Sequence, residues 1–66
     1  MAMKEMEGKN IYVKLVSGRI YTGVVKEVNF LGNGVDDIPY YMFSIVDKFG
    51  KLVSFSSKEI SFMEEE

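Results

Sequence analysis

The stretch GKNIYVKLVSGRIYTGVVKEV, residues 8–28, decides the fold of this chain. In its first part, Ile11, Val13 and Leu15 alternate with polar or amphipathic residues. Strict alternation of this kind is typical of a strand with one buried face. The pattern therefore predicts a first strand over residues 10–16.

The second part of the stretch predicts a tight turn and another strand. Ser17 and Gly18 supply turn chemistry, since glycine accepts a positive φ. Residues 20–28 are rich in β-branched and aromatic side chains, which favour a strand. Gly23 lies inside that strand, and an interior glycine indicates a bend, a bulge or a close backbone approach.

The rest of the chain predicts three more strands and their connections. Residues 40–46 are nearly all apolar, which predicts a central strand buried on both faces. The last strand is expected to turn Ile60 and Phe62 inward. A loop over residues 29–39 leads into a strand over 40–46. A turn over 47–50, with Gly50 in a left-handed conformation, leads into a strand over 52–55. A break over 56–58 separates it from the last strand, over 59–63, which is followed by an acidic tail over 64–66.

The N-terminal residues favour helix but are few. Met3 and Met6 are spaced to share a face of a helix over residues 1–7, although an isolated helix this short is unstable. Residues 1–9 are therefore either a cap docked on the strands or a frayed tail. We interpret residues 1–66 as a single domain.

Five short strands in 66 residues must curl to bury one face. The predicted fold class is all-β, a small, strongly bent five-stranded barrel of SH3-like or Sm-like type with an optional short N-terminal helix. An OB-type barrel is the alternative, and it requires a helix between the third and fourth strands.

Composition bounds the function. The chain has no Cys and no His, so disulfides, Cys/His metal sites and the commonest catalytic base are excluded. We expect that the protein is not an enzyme and that it uses no metal, cofactor or small-molecule substrate.

Asp36 and Asp37 are interpreted as the solvent-exposed tip of a loop. A small domain that has neither disulfides nor a structural metal ion often oligomerises.

Charge and hydropathy bound the partners. Residues 1–30 carry five basic and three acidic residues, net +2, whereas residues 31–66 carry three basic and seven acidic, net −4. This balance argues against a nonspecific nucleic-acid binder. No apolar run reaches the roughly 20 residues that a membrane helix needs, so we expect a cytoplasmic protein without a membrane partner.

Within residues 8–28, several short motifs occur together in a fixed order. These motifs are Gly8-Lys9, Val13-Lys14-Leu15, Gly18-Arg19, Tyr21 and Gly23-Val24-Val25. In these residues, which extend over roughly a third of its length, the chain resembles the Sm and Sm-like (LSm) family.

The resemblance implies a homo-oligomeric ring in which the fourth strand of one subunit pairs with the fifth strand of the next. Such pairing would satisfy two exposed sheet edges. The partner is therefore the protein itself, and the candidate interface residues are Leu52, Val53, Phe55, Ile60 and Phe62.

The family also binds single-stranded RNA through two loops, whose counterparts here are residues 29–33 and 55–60. In the second loop, the family's Arg and Gly positions are occupied by Ser56 and Ser57, which removes a stacking cation. Of the tyrosines at 40 and 41, one ring is expected in the core and the other on an exposed face. The candidate RNA-binding residues are Asn29, Phe30, Asn33 and Lys58.

Three functions remain open from the sequence: an Sm-like ring that binds single-stranded RNA with weak or altered specificity, the same ring as a protein scaffold without RNA, and a monomeric SH3-like adaptor.

Overall fold

A computed structural model describes residues 3–66. It contains five strands and two short 3-10 helices. The strands are β1 (Asn10–Leu15), β2 (Ile20–Asn33), β3 (Pro39–Asp47), β4 (Leu52–Ser56) and β5 (Ile60–Glu65), and the 3-10 helices are Met3–Met6 and Ser57–Glu59.

All five strands belong to one sheet in the order β4-β3-β2-β1-β5, and every neighbouring pair is antiparallel. The predicted all-β, five-stranded class is therefore confirmed. A tight turn joins β3 to β4, with Gly50 at a φ of 82° as predicted. The helix that an OB-type barrel would place there does not occur.

β2 is 14 residues long, and its pairing with its neighbour is irregular. Its pairing with β3 shifts register twice, between Val25 and Glu27 and between Phe30 and Gly32. Such shifts bend a strand and increase its twist. Gly23 makes the predicted close backbone approach, because a β-carbon there would overlap the carbonyl group of Val46.

The long connection predicted over residues 29–39 is wrong in part. β2 continues to Asn33, and β3 begins at Pro39, so only residues 34–38 form the loop. The turn-forming residues are drawn into the ladder by their partners, since Asn29 pairs with Met42 and Asn33 with Pro39. Backbone pairing along an apolar strand here outweighs local turn propensity.

One core lies on the concave face of the sheet. Ile11, Val13 and Leu15 are buried there as predicted, and the rings of Phe43 and Phe55 stack with centroids 5.8 Å apart. The complete set of buried residues is Ile11, Val13, Leu15, Val25, Val28, Phe43, Ile45 and Phe55. The prediction that residues 40–46 are buried on both faces is wrong, because only Phe43 and Ile45 are buried.

The inward set of β5 differs from the prediction. Ile60 packs against the core as expected, but Phe62 is 49% exposed and Met63 takes the inward position. The cause is a register shift between Lys14 and Leu15 of β1, the strand that pairs with β5. One extra residue at such a shift exchanges the two faces of a strand. The predicted acidic tail is also shorter, since β5 runs to Glu65.

The N-terminal segment forms a 3-10 helix rather than an α-helix, and residues 1–2 of the predicted helix lie outside the described residues. Met6 packs against the core, so this segment is a cap. The Val28 N–H donates to Glu7 Oε2 at 3.0 Å, and the Gly8 N–H donates to the Val25 carbonyl at 2.7 Å. Within residues 3–66, no helix combines the length and apolarity required to cross a membrane.

Candidate nucleic-acid interface

At one end of the sheet, the tip of the β2–β3 hairpin meets the second 3-10 helix. The Tyr41 N–H donates to Ser57 Oγ at 3.0 Å. The Lys58 Nζ lies 4.3 Å from the centroid of the Tyr40 ring. The fold therefore brings together the two segments in which the sequence placed its candidate RNA-binding residues. We refer to Phe30, Asn33, Tyr40, Tyr41 and Lys58 as the tip cluster.

Phe30 and Tyr41 form the aromatic part of the tip cluster. They are directly opposite each other in the β2–β3 ladder, and their rings meet edge to face with centroids 5.5 Å apart. Tyr41 packs against the core, whereas Phe30 is 59% exposed. Phe30 thus contacts Tyr41 on one side, and more than half of the residue remains accessible.

Lys58 places a positive charge next to Tyr40. An ammonium group within about 6 Å of a ring centroid is attracted by the negative face of the ring. A β-carbon on Gly34 would lie 2.7 Å from Lys58 Nζ and 3.0 Å from Asp36 Oδ1, so the loop crosses close to this amine. Glycine at position 34 leaves room for the lysine side chain.

A shallow cleft of about 140 Å³ lies beside this cation. It is lined by Asp36, Ile38, Pro39, Tyr40, Ser57 and Lys58. Its walls combine an aromatic ring, aliphatic surface, one cation and one carboxylate. Such a surface offers a stacking face and a single charged contact rather than a strongly cationic groove.

Asn33 belongs to the tip cluster, and Asn29 does not. Asn33 is exposed, and its Nδ2 donates to Asp37 Oδ1 at 3.4 Å. Asn29 precedes Phe30 in β2, and consecutive strand residues point to opposite faces. Phe30, Asn33 and Lys58 therefore lie at the same end of the sheet, with Lys58 beside Tyr40 and Phe30 beside Tyr41. Asn29 faces away from Phe30.

The loop between β2 and β3 is built by its two aspartates. Asp36 Oδ1 accepts a hydrogen bond from the Ile38 N–H at 3.2 Å, and Asp37 adopts a left-handed φ of 62°. Both are exposed, as the interpretation of a solvated tip predicts. Among residues 3–66, no three His, Cys, Asp or Glu side chains are grouped closely enough to hold a metal ion.

The two tyrosines divide as predicted, with Tyr41 against the core and Tyr40 half-buried on the other face. The roles of Ser57 and Gly34 were not predicted from the sequence. Both depend on contacts between segments that are distant in the chain, which local pattern cannot reveal.

The candidate interface residues lie on the two outer strands of the sheet. Leu52 of β4 is 56% exposed, and Phe62 of β5 is 49% exposed. Val53 and Ile60 are partly buried against the core. Phe55 is 2% exposed and belongs to the buried core, so it offers almost no surface to a neighbour.

Comparison of the chain with protein-family models, with curated proteins and with solved structures found no match. Function therefore has to be inferred from the residues and geometry of the chain itself.

Proposed function

We propose that this protein is an Sm-like, ring-forming protein that binds single-stranded RNA at the tip cluster. The observation that carries the proposal is that two contacts occur at the same end of the sheet: the exposed Phe30 ring against Tyr41, and the Lys58 amine over the Tyr40 ring. The resemblance of residues 8–28 to the Sm family supports the same function.

Stacking supplies most of the proposed affinity. A base that stacks on an exposed aromatic side chain gains about 1–3 kcal/mol and tolerates changes of sequence. Phe30 offers such a face, and the Asn33 amide can both donate to and accept from a base edge. One lysine per subunit, with two aspartates nearby, gives a smaller electrostatic contribution than a basic groove would.

Ring formation compensates for a weak single site. Several tip clusters on one assembly bind one strand with a high effective concentration after the first contact. The two ends of the sheet, β4 and β5, are unlike surfaces of the same subunit. A head-to-tail contact between unlike surfaces closes into a ring when the rotation between subunits permits it.

RNA binding is tested by fluorescence anisotropy with labelled oligo-U and oligo-A at low salt. We expect both to bind, and we expect Phe30→Ala to weaken binding by about 5- to 150-fold, the equivalent of one lost stack. Asn33→Ala should weaken it less. Phe49→Ala and Asn10→Ala are the matched controls, because Phe49 is 84% exposed beyond the opposite end of β3 and Asn10 is an exposed residue of β1.

Each outcome distinguishes among the functions that the sequence leaves open. Equal effects of Phe30→Ala and Phe49→Ala would contradict the tip cluster as the site. An oligomer that binds neither oligonucleotide would be a scaffold. Native mass spectrometry that finds a strict monomer at micromolar concentration would contradict the ring and favour an SH3-like adaptor.

A further inference from the structure

We propose that this protein has a second binding site, a notch in the sheet at the other end of β2 from the tip cluster, which takes an extended acidic peptide of a partner protein as an added strand. The notch has a volume of about 230 Å³. It is lined by Ile20, Tyr21, Thr22, Asp47, Lys48 and Phe49. This inference does not depend on the proposed RNA site.

The notch exists because β2 extends past the end of β3. Residues 20–24 of β2 pair with β1, but the pairing of β2 with β3 begins only at Gly23, which is opposite Asp47. At Asp47 the chain leaves β3 and turns toward β4. Residues 20–22 therefore have a neighbouring strand on one side only. Since β2 is the central strand of the sheet, this free edge is separate from the two outer edges.

The free edge directs backbone hydrogen-bonding groups into the notch. The Leu15 N–H donates to the Arg19 carbonyl at 2.8 Å, which makes these residues a hydrogen-bonded pair between β1 and β2. Bonded and non-bonded pairs alternate along an antiparallel ladder, so Ile20 and Thr22 turn their N–H and C=O groups away from β1. Within residues 3–66, no hydrogen bond to these groups spans the notch. An open edge of this kind binds an extended peptide as an additional strand.

Apolar and cationic side chains border this free edge. Ile20 is 52% exposed and Phe49 is 84% exposed. The Lys48 Nζ lies 5.4 Å from the centroid of the Phe49 ring, and Arg19 Nη1 donates to the Tyr21 hydroxyl at 3.4 Å. An apolar side chain of the peptide can therefore cover the exposed aliphatic and aromatic surface, while a neighbouring carboxylate meets a cation.

The charge around the notch favours an acidic ligand. Residues 16–22 and 47–51 hold three basic residues and one acidic residue, net +2, although the chain as a whole has a net charge of −2. The acid is Asp47, whose Oδ1 already accepts from two backbone N–H groups of its own turn, each at 2.9 Å. Glu66 lines a neighbouring cleft that also contacts Lys48. The positive excess selects acidic partners over basic ones.

The backbone groups favour a peptide over single-stranded RNA. Phosphate groups accept hydrogen bonds but donate none, so an RNA backbone would leave the carbonyls of Ile20 and Thr22 without donors. A peptide backbone supplies one donor and one acceptor at nearly every residue. It can therefore pair with both kinds of group along the free edge.

The test uses short, fluorescently labelled peptides and fluorescence anisotropy at low salt. The first peptide alternates aspartate with valine, which favours an extended strand. The second replaces aspartate with lysine, and the third is the first with methyl groups on all backbone nitrogens. We expect the first to bind at least about fivefold more tightly than the second, the scale of one ion pair. The third should not bind, because it has no backbone donors.

Variants of the notch locate the site. Ile20→Ala and Phe49→Ala should each weaken binding of the aspartate–valine peptide by about threefold to tenfold, because each removes exposed apolar surface from the notch. Lys48→Glu should weaken it by about fivefold or more. The matched controls are Leu31→Ala, which truncates a 45% exposed residue at the other end of β2, and Lys26→Glu, which reverses an exposed charge in the middle of β2.

Amide NMR spectra of each variant confirm folding, and spectra with the peptide report where it binds. We expect the largest shifts at Ile20, Thr22 and residues 47–51. Absence of binding to the wild-type protein, or equal binding of the methylated peptide, would overturn the added strand. Displacement of the peptide by unlabelled oligo-U would show instead that the notch is an RNA surface. None of these variants changes the tip cluster, so failure of peptide binding and failure of RNA binding at that cluster are separate results.

Discussion

Gly23 of β2 lies so close to β3 that a β-carbon at this position would overlap the carbonyl oxygen of Val46 and come within 3.0 Å of the Asp47 α-carbon. The obstructing atoms belong to the backbone, so no side-chain rotation relieves the overlap. We expect Gly23→Ala to lower the free energy of unfolding by about 1–3 kcal/mol, as for other overpacked sites. Urea denaturation measures this change.

Gly34→Ala is the matched control for that substitution. A β-carbon at Gly34 meets the flexible end of Lys58 and the Asp36 carboxylate rather than backbone. The loss of stability should therefore be smaller than for Gly23→Ala. Equal losses would show that the close approach of β2 to Val46 does not limit the sheet.

The stacked pair of Phe43 and Phe55 predicts a second stability difference. Phe43 is 0% exposed, and Phe43→Ala should cost about 3–5 kcal/mol through lost burial and the cavity left behind. That is a large share of the roughly 3–10 kcal/mol expected for a domain of this size. Phe49→Ala, at an exposed turn, should change stability by less than about 0.5 kcal/mol. Thermal and urea unfolding of both variants measures these changes. Similar losses in the free energy of unfolding would contradict the prediction.

Glu7 predicts a pH-dependent contribution of the N-terminal cap. The hydrogen bond from the Val28 N–H lowers the pKa of the Glu7 carboxyl below its ordinary value, with help from Lys4 and against a smaller effect of burial. A carboxyl whose pKa is lower in the folded state stabilises the fold above the unfolded pKa, and this stabilisation is lost as the pH falls through the folded pKa. Glu7→Gln should therefore be less stable than wild type at neutral pH, and the difference should shrink in acid.

Unfolding of both proteins across the acidic range, at constant ionic strength, measures that difference. Glu5→Gln is the control, since Glu5 is an exposed acid of the 3-10 helix that directly precedes Glu7. A difference between wild type and Glu7→Gln that stays constant with pH would contradict the role of the ionised carboxylate.

Lys58 predicts how the proposed RNA binding would depend on salt. Each phosphate contact made by a cation on a single strand contributes about 0.7 to the slope of log affinity against log salt. Lys58→Gln should reduce the slope by about that amount for every Lys58 that the strand contacts. Lys26→Gln should leave the slope unchanged, and equal slopes for wild type and Lys58→Gln would remove Lys58 from the site.

The strands and their order in the chain could be predicted because their signals are local. A buried face is signalled by the alternation of Ile11, Val13 and Leu15. Turns are signalled by Gly18 and Gly50, and a close backbone approach is signalled by Gly23. The predictions were wrong where the pairing with a neighbouring strand sets the length of a strand or the exposure of its side chains. The length of β2 depends on pairing with β3, and the exposure of Phe62 depends on a register shift opposite Leu15.

In the candidate site, too, some features could be predicted from the sequence and others could not. Phe30 could be singled out because an aromatic residue near a polar, glycine-rich segment has little local reason to be buried. The contact of Lys58 with Tyr40, and the separation of Asn29 from Phe30 by the pleat, depend on strand register and on how the second 3-10 helix meets the hairpin tip. Neither can be derived from residue type alone.

The order of the strands in the sheet also predicts the sequence in which they pair during folding. The pairs β1–β2, β2–β3 and β3–β4 are hairpins between neighbours in sequence, whereas β1–β5 joins Ile11 to Glu65 across nearly the whole chain. Closing that long loop costs the most chain entropy, so the four-strand meander should form first and β5 should dock last. By the same reasoning, β5 should be the first strand to detach from the folded protein, and its amides should exchange with solvent hydrogen faster than those of β2.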